Sequence, residues 1–481
     1  MSSSTSDGLR AVPRLGMLTE EHCRIIHRAS LEILRRTGVR VYHQDALDLL
    51  QSAGAAVSDE NLVHLHPGLV EWALKQPPSR VVLCERGTDR PAVVLEGRRV
   101  HFGPGSDCLN YLDPASGEHR RFTKQDVLDC IRLVDALPEL DFCMSMGIPS
   151  DLENDNPYRW QFAAMLRTTS KPIVFVCDDP ADTEAIAAMA AAAAGGHQKL
   201  RTNPTLLLYS EPTTPLKHSE TATGKLLFMA EHSLPIVHSP APMMGGTAPV
   251  TMAGGLALGN AEVLSSLVIH QLKNPGAPFV YGSGLHHLDM KTTISVYSAP
   301  EFEMARIAVA ELGRYYNLPT WGYAGHSDSC VMDEQAAADS AFSVLASYLA
   351  GSNLVHDVGY LEAGLTTSPE MMVFTAEMIT MFGHLMSGMA VDEESLALEV
   401  IHQVGQQGDY LSTDHTMDHF REFWQPTLYN RKRMDDWIAD GAVSLGDRLK
   451  EKTVSLLEGH QPQRLPEAVD QAVERILAEE S

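Results

Sequence analysis

The sequence predicts an α/β protein built on a (β/α)8 barrel, with helical extensions at both ends. Eight short apolar runs, rich in β-branched and aromatic residues, recur at intervals of roughly 30 to 43 residues. A stretch rich in Gly, Pro, Ser and Asp follows each run, and amphipathic helical patterns separate the runs. Eight strand–helix units in succession are what a (β/α)8 barrel requires. A doubly wound open sheet is the alternative, but such sheets usually have fewer strands.

The predicted strands can be read directly from the sequence. They are RVHFGPG from Arg99, DFCMSMG from Asp141, PIVFVC from Pro172, PTLLLYS from Pro204, LPIVHSP from Leu234, APFVYGSG from Ala277, LPTWGYAG from Leu318 and NLVHDVG from Asn353. Capping signals mark several of the helices between them. Thr123 with Asp126 resembles a capping box, Pro300 suits a first helical turn, and Gly351 suits a helix end.

The flanking regions differ from the barrel pattern. Residues 1–95 predict an N-terminal, mostly helical subdomain that ends in a hairpin. Residues 96–390 form the predicted barrel, and residues 391–481 form a helical extension that wraps the barrel or covers its mouth.

Composition excludes several classes of protein. The formal net charge of the 481 residues is −25, which argues against nucleic acid and against an anionic membrane as partners. Seven cysteines are dispersed without CxxC spacing, a distribution typical of reduced thiols. The N-terminus lacks the apolar core of a signal peptide, so the expected location is the cytoplasm.

The segments that follow the strands line the mouth of a barrel, where its active site lies. Histidines cluster in these segments at His238, His286, His287, His326 and His356. His356 is the most informative, because it interrupts an otherwise apolar strand, where an unpaired polar group is unfavourable.

Five stretches in order resemble the trimethylamine methyltransferase family, and most closely its branch without pyrrolysine, which includes the glycine betaine:corrinoid methyltransferases. They are MMGGTAPVTMAGGLALGNAEVLS (243–265), LDMKTTISVYSAPE (288–301), GHSDSCVMDEQAA (325–337), NLVHDVGYLEAGLTTSPE (353–370) and DHTMDHFREFWQP (414–426). The resemblance runs from about residue 18 to about residue 460.

The resemblance implies a (β/α)8 barrel and transfer of a methyl group from a methylated amine to the Co(I) corrinoid of a small partner protein. The chain would then bind no cofactor itself, since cobalamin arrives with the partner. Members that act on trimethylamine carry pyrrolysine in a mouth loop, aligned here near Cys330, whereas this chain has none. The expected substrate is therefore a quaternary amine, with glycine betaine first and carnitine, proline betaine and butyrobetaine as further candidates.

Aromatic faces and carboxylates are the groups that would hold such a cation. The aromatic candidates near strand ends are Phe102, Tyr209, Tyr281, Trp321, Tyr323 and Tyr360. Some of these side chains will instead fill the core, because strand residues alternate between the two faces. Glu211, Asp107 and Asp328 are the acidic candidates, although the two aspartates also suit helix or turn caps.

His356 is the catalytic candidate, either binding the carboxylate of a betaine or protonating the departing amine. Strand alternation predicts that Asp357 points to the opposite side, towards the helices or a loop. We expect no metal site, because His286 and His287 are adjacent and His415 and His419 lack the glutamate of an HExxH motif.

Two other functions remain compatible with the sequence. One is a barrel enzyme that acts on a betaine-like cation without a corrinoid. The other is a non-catalytic betaine-binding subunit of a methyltransferase complex. The chain is expected to form a homo-oligomer.

Overall fold

Eight parallel strand–helix units close into a barrel in the computed structural model, which describes residues 10–152 and 157–479. The barrel strands are β1 His101–Pro104, β2 at 141–147, β3 Ile173–Phe175, β4 Leu206–Ser210, β5 Ile236–His238, β6 Phe279–Val280, β7 Trp321–Tyr323 and β8 Leu354–Val358. The helices that follow them are α1 Lys124–Ala136, α2 Pro157–Thr168, α3 Pro180–Ala194, α4 Glu220–Glu231, α5 Met252–Lys273, α6 Pro300–Tyr315, α7 Glu334–Ala350 and α8 Pro369–Met386. The predicted fold class is confirmed.

Parallel pairing runs around the whole barrel. β3, β4, β5 and β6 form one continuous ladder, and β7, β8 and β1 form a second. Single bridges join the two ladders at Tyr281 and Thr320 and connect β2 to β3 at Cys143 and Ile173. β1 and β2 complete the barrel, since the Asp141 backbone N–H donates a hydrogen bond to the Phe102 carbonyl at 2.6 Å.

The hairpin of the N-terminal region fills the end of the barrel opposite the mouth. Strands Val81–Cys84 and Pro91–Leu95 pair antiparallel, as the sequence predicts. Leu83 and Val93 are fully buried and pack in one cluster with interior side chains of the barrel strands. A small barrel has to be filled by side chains at this level, and the hairpin supplies part of that filling.

The remaining elements surround the barrel. The helices are Glu20–Arg36, Gln44–Ser52, Pro67–Ala73, His197–Thr202, Glu393–Leu396, Leu398–Val404, Asp414–His419, Met434–Ala439, Leu445–Gly459 and Glu467–Glu479, with 3-10 turns at Glu362–Gly364 and Phe420–Glu422. The short strands are Arg10–Ala11, Val39–Val41, Ala56–Ser58, Leu62–His64, Asn110–Leu112, His119–Arg121, Lys217–His218, Met243–Met244, His286–Leu288, Ser295–Val296, Tyr360–Leu361, Thr366–Thr367 and Met389–Ala390. Glu20–Arg36 packs against α5, while Leu445–Gly459 and Glu467–Glu479 pack on the outer helices. The division of the chain at residues 95 and 390 stays a prediction.

Helix α5 is apolar and long enough to span a membrane by length and composition. Most of it is buried between the N-terminal helices and the barrel. Its apolar character is therefore explained by its position in the core of the protein.

Candidate active site

Three strands bring an aromatic cluster together inside the mouth of the barrel. Tyr209 comes from β4, Trp321 and Tyr323 from β7, and His356 from β8. The ring of His356 lies 4.4 Å from Trp321, 4.4 Å from Tyr323 and 5.6 Å from Tyr209, measured between centroids. Trp321 and Tyr323 are two residues apart, so the strand period places both on the inner face. The sequence prediction that His356 points into the mouth agrees with this placement.

The members of this cluster lie at different depths. Trp321 is only 1% exposed, and it stacks on Tyr209 with centroids 5.2 Å apart. It therefore forms the floor of the mouth, one layer below the surface that a ligand can reach. Tyr209 is half-buried and presents the more accessible ring. The Tyr323 hydroxyl lies 3.1 Å from the Ser239 hydroxyl, and this hydrogen bond fixes the position of the ring.

Glu211 and Asp107 supply the negative charge next to these rings. The Tyr209 hydroxyl donates a hydrogen bond to the Glu211 carboxylate. The pKa of Glu211 is raised to about 7, mainly by burial, and the charges of Asp107 and Asp357 act in the same direction. Burial also raises the pKa of Asp107 to about 6. Both side chains are reached by water through the mouth but surrounded by protein elsewhere, which makes each charge unfavourable until a cation is present.

Two further charged residues in the mouth were missed by the sequence reasoning. Asp178 follows β3 and raises the pKa of Asp107. The Lys225 ammonium donates to the Cys177 carbonyl at 2.6 Å and lowers the pKa of Glu211, Asp107 and Asp178. Asp178 follows a predicted strand directly, and this position could have identified it as a residue of the mouth. Lys225 lies on α4, away from any strand end, so the sequence contained no indication of its position.

Asp357 lies beside His356, and the prediction that it points to the opposite side of the strand, towards the helices or a loop, was wrong. Its backbone φ is +83°, and the pairing of β8 with β1 is irregular between Val355 and Val358. This bulge cancels the alternation, so the Asp357 carboxylate stays beside its neighbour. Its Oδ1 lies 2.7 Å from His356 Nδ1, although the angle does not form a hydrogen bond. Among the described residues, neither side chain has a hydrogen-bond partner.

A buried charged layer lies behind Asp357. His326 Nδ1 is 3.8 Å from Asp357 Oδ2, and His326 Nε2 is 3.8 Å from Glu303 Oε1. The Arg306 guanidinium lies 4.5 Å from the ring centroids of Phe302 and Tyr323. Burial lowers the pKa of Arg306, and the nearby Tyr323, Glu303 and Asp357 side chains act in the opposite direction. The side chains of this layer pack behind the aromatic cluster. The positive charge of Arg306 balances part of the negative charge of Asp357.

Phe102 and Tyr281 do not lie in the mouth, which corrects their prediction as substrate-binding residues. The Phe102 ring packs against Tyr348 of α7 at 4.9 Å. The Tyr281 hydroxyl donates to Asn260 Oδ1 of α5 at 2.8 Å. Both side chains are on the outer face of their strands and are fully buried against the helices. Their role in this structure is packing.

Replacing Tyr281 with phenylalanine is expected to lower the free energy of unfolding by about 1 to 3 kcal/mol without changing KM. The substitution leaves the Asn260 Oδ1 atom buried without its donor. Urea denaturation measures the first effect and steady-state kinetics the second. Tyr209→Phe is the matched control, for which we expect the KM to change more than the stability. A changed KM in Tyr281→Phe with unaltered stability would contradict this assignment.

Tyr360 and Asp328 hold the loops of the mouth. The Tyr360 hydroxyl donates to the Ser106 carbonyl, and its ring lies so close to Gly105 that a side chain there would collide with it. Tyr360 is buried and makes no ring contact with the aromatic cluster, so its predicted contact with substrate is not supported by its position. The Asp328 carboxylate accepts the backbone N–H groups of Tyr297 and Ser298 at 3.0 Å. It acts as a loop cap.

His238 and His286, which were also predicted to lie at the mouth, make contacts outside the aromatic cluster. His238 faces the helices and stacks with His218, and burial lowers the pKa of both rings. His286 Nδ1 contacts the Gly284 carbonyl at 2.8 Å. Within residues 10–152 and 157–479, no group of three histidine, cysteine or acidic side chains is arranged to hold a metal.

Comparison with known proteins agrees with this architecture. The model of the trimethylamine methyltransferase family matches residues 2–480. The chain belongs to this family. Its family membership makes it a methyltransferase, which agrees with the resemblance noted in the sequence.

Curated members of the family match nearly the whole chain. The trimethylamine methyltransferase of Desulfitobacterium hafniense is 33% identical and covers 100% of this chain and 97% of its own length. The glycine betaine methyltransferase of the same species is 29% identical, with 97% and 98% covered. The trimethylamine methyltransferase of Methanosarcina thermophila is 31% identical, with 93% and 94% covered.

A solved structure supports the fold. The monomethylamine methyltransferase of Methanosarcina barkeri superposes with a TM-score of 0.53 at 13% identity, covering 94% of this chain and 91% of that chain. At this identity the likeness concerns the fold alone.

Proposed function

We propose that this methyltransferase takes a methyl group from a quaternary amine, with glycine betaine as the first substrate to test, and transfers it to the Co(I) corrinoid of a small partner protein. The observation that carries the proposal is the pairing of Glu211 and Asp107 with the Tyr209, Tyr323 and His356 rings in one barrel mouth. Carboxylates and aromatic faces are the two groups that attract a quaternary ammonium. The glycine betaine methyltransferase among the relatives supports the choice of substrate.

The charge of the mouth favours a cation at neutral pH. Once a quaternary ammonium is bound, it stabilises the ionised forms of Glu211 and Asp107, whose pKa values burial has raised. Each aromatic face adds about 0.5 to 2 kcal/mol of attraction. The substrate is thereby stripped of water and oriented with one methyl group towards the opening.

The leaving group explains why no pyrrolysine is required. A quaternary ammonium loses a methyl group to give a neutral tertiary amine, and the electron pair of the broken C–N bond stays on nitrogen. The corrinoid of the partner supplies the nucleophile, Co(I), which accepts the methyl carbon. The chain's own residues bind the cation, exclude water and hold the C–N bond in line with the open mouth, where Glu211 and Asp107 are exposed.

The state of the thiols supports a proposed cellular location. All seven cysteines are free, six of them buried and Cys330 exposed. Free thiols agree with a reducing compartment, and we propose that the protein is cytoplasmic.

The direct test uses Co(I) cobalamin in place of the partner protein. The conversion of Co(I) to methyl-Co(III) is followed by absorbance with glycine betaine, carnitine, proline betaine, butyrobetaine, tetramethylammonium and trimethylamine. We expect methylation with at least one quaternary amine and none with trimethylamine.

Two results would contradict the proposal. Consumption of a betaine in the absence of any corrinoid would favour a corrinoid-independent enzyme. Binding of a betaine by folded protein, without methylation of Co(I) cobalamin or of a corrinoid protein, would favour a non-catalytic subunit.

A further inference from the structure

A pocket at the end of the barrel opposite the mouth is lined by three arginines. Arg14 comes from the segment before helix Glu20–Arg36, Arg98 precedes β1, and Arg314 lies in the last turn of α6. The pocket has a volume of about 600 Å³. Barrel strands begin at this end and reach the candidate active site at the other, so the pocket is separate from the aromatic cluster.

The segment that follows Arg14 is fixed against the barrel and forms one wall of the pocket. The Leu15 backbone N–H donates to the Leu349 carbonyl at 3.1 Å. The Glu311 carboxylate accepts the backbone N–H groups of Met17 and Leu18, at 3.0 and 2.7 Å. These contacts hold the backbone in place, whereas the Arg14 side chain itself is exposed at the opening of the pocket.

Helix capping accounts for only part of this arginine cluster. Arg98 Nη2 donates to the Leu349 carbonyl, and Arg314 Nη1 donates to the Ala350 carbonyl at 2.6 Å, so both guanidinium groups cap the C-terminal end of α7. A guanidinium carries N–H donors on all three nitrogens. The other nitrogens of these two groups have no hydrogen-bond partner among the described residues, and within the same part of the chain Arg14 makes no hydrogen bond and no ion pair. Most donors of the cluster are therefore free to bind a ligand.

The three guanidinium groups also repel one another. Burial lowers the pKa of Arg314 to about 10, and the charge of Arg98 acts in the same direction. Burial and the charge of Arg14 lower the pKa of Arg98. Two carboxylates line the pocket, Glu311 and the exposed Glu20, so they offset only part of the positive charge. A bound anion would relieve the remaining repulsion.

The lining of the pocket suits an organic phosphate. Guanidinium groups pair with the oxygens of phosphates, and a phosphate monoester carries about two negative charges at neutral pH. The volume lies within the range of about 300 to 1,000 Å³ that small-molecule sites occupy, and it leaves room beside a phosphate group. The ring of Tyr315 and the side chain of Leu15, 37% and 39% exposed, provide apolar surface for the organic part.

We propose that this pocket binds a small organic phosphate. Arg14, Arg98 and Arg314 hold the phosphate group, and the Tyr315 ring contacts the organic part. The pocket is remote from the barrel mouth, so its ligand binds independently of the quaternary amine and of the corrinoid. This site does not rest on the proposed function, and each can be tested without the other.

Isothermal titration calorimetry of the full chain at low ionic strength tests the proposal. The probes are AMP, phosphoenolpyruvate, inorganic phosphate and adenosine, which lacks the phosphate group. We expect at least one of the two organic phosphates to bind, at least tenfold more tightly than inorganic phosphate, and adenosine to bind no better than inorganic phosphate. Absence of binding by both organic phosphates would overturn the proposal. Equal affinity for inorganic phosphate would overturn the assignment of an organic ligand.

Arg14→Gln is the variant that locates the site. It is expected to weaken binding of the organic phosphate at least tenfold without lowering the Tm of the ligand-free protein, because Arg14 makes no hydrogen bond within the described part of the chain. Arg475→Gln is the matched control, since Arg475 is exposed on helix Glu467–Glu479, away from the pocket. Unchanged affinity in Arg14→Gln would contradict the assignment.

Hydrogen–deuterium exchange gives a second readout that does not require a variant. The bound organic phosphate is expected to slow exchange of the backbone amides in residues 14–23, which form the wall of the pocket and the start of helix Glu20–Arg36. The amides around Glu211 at the barrel mouth are expected to exchange at an unchanged rate. Protection at the mouth without protection of residues 14–23 would overturn the proposal.

Discussion

Glu211→Gln is expected to lower kcat/KM for a quaternary amine by about 10- to 100-fold at pH 8. The substitution keeps the shape of the side chain and removes the charge that attracts the cation. A desolvated interaction with a charged group contributes about 1.5 to 3 kcal/mol, and each 1.4 kcal/mol corresponds to a factor of about ten. Because Glu211 lies at the open mouth and accepts a hydrogen bond from the Tyr209 hydroxyl, its loss affects binding more than the chemical step.

The effect of this substitution depends on pH in a defined direction. Burial raises the pKa of Glu211 from 4.5 to about 7, so the parent carboxylate is ionised at pH 8 and mostly protonated at pH 5.5. The parent enzyme is therefore expected to lose activity as the pH falls through 7, whereas Glu211→Gln changes less. Initial rates of cobalamin methylation across this range measure both curves. A constant ratio between the two proteins at all pH values would contradict the assigned role.

The thermal stability of Glu211→Gln tests whether Glu211 has a binding role or a structural one. A carboxyl group whose folded-state pKa is raised destabilises the folded protein when it is ionised, and this cost disappears as the pH falls below the unfolded value of 4.5. Glu211→Gln is thus expected to raise Tm relative to the parent at pH 8 and to leave Tm unchanged at pH 4. Glu184→Gln, an exposed residue of α3, is the control for both measurements.

The fold was predictable because its signal is periodic. Eight apolar runs with turn-forming residues after each are a pattern that few architectures produce, and all eight runs form barrel strands. The same pattern did not indicate which side chains face inward. Strands of a barrel are buried on both faces, so they read as continuous apolar runs without alternation. Phe102 and Tyr281 therefore looked as suitable for the mouth as Tyr209.

Local backbone geometry limited the prediction of the site. Alternation correctly puts Leu354 and His356 on one face of β8, but the bulge at Asp357 returns the next side chain to the same side. The sequence NLVHDVG contains no feature that distinguishes a bulged strand from a regular one. Lys225 lies on helix α4 and is held at the site by its hydrogen bond to the Cys177 carbonyl, 48 residues earlier in the sequence. Such a contact exists only once the chain is folded.

His356→Ala is expected to weaken the use of glycine betaine about 10- to 100-fold and that of tetramethylammonium much less. Both ring nitrogens of His356 lack a hydrogen-bond partner among the described residues, and the ring faces the aromatic cluster. Nδ1 faces the Asp357 carboxylate, and a hydrogen on Nε2 can be donated to a carboxylate of the substrate. Only glycine betaine has that carboxylate, so the comparison isolates this hydrogen bond from the attraction of the cation.

Asp357→Asn provides the companion measurement. Asp357 Oδ1 lies 2.7 Å from His356 Nδ1, so this substitution changes the group that faces the ring nitrogen without emptying the site. We expect a selective loss of glycine betaine turnover in this variant, weaker than that in His356→Ala. Equal losses with both substrates in His356→Ala would instead mean that the ring acts as a wall of the ammonium site. If that equal loss lies in KM alone, protonation of the departing amine is excluded as the main contribution of His356, since a loss in KM alone cannot come from the chemical step.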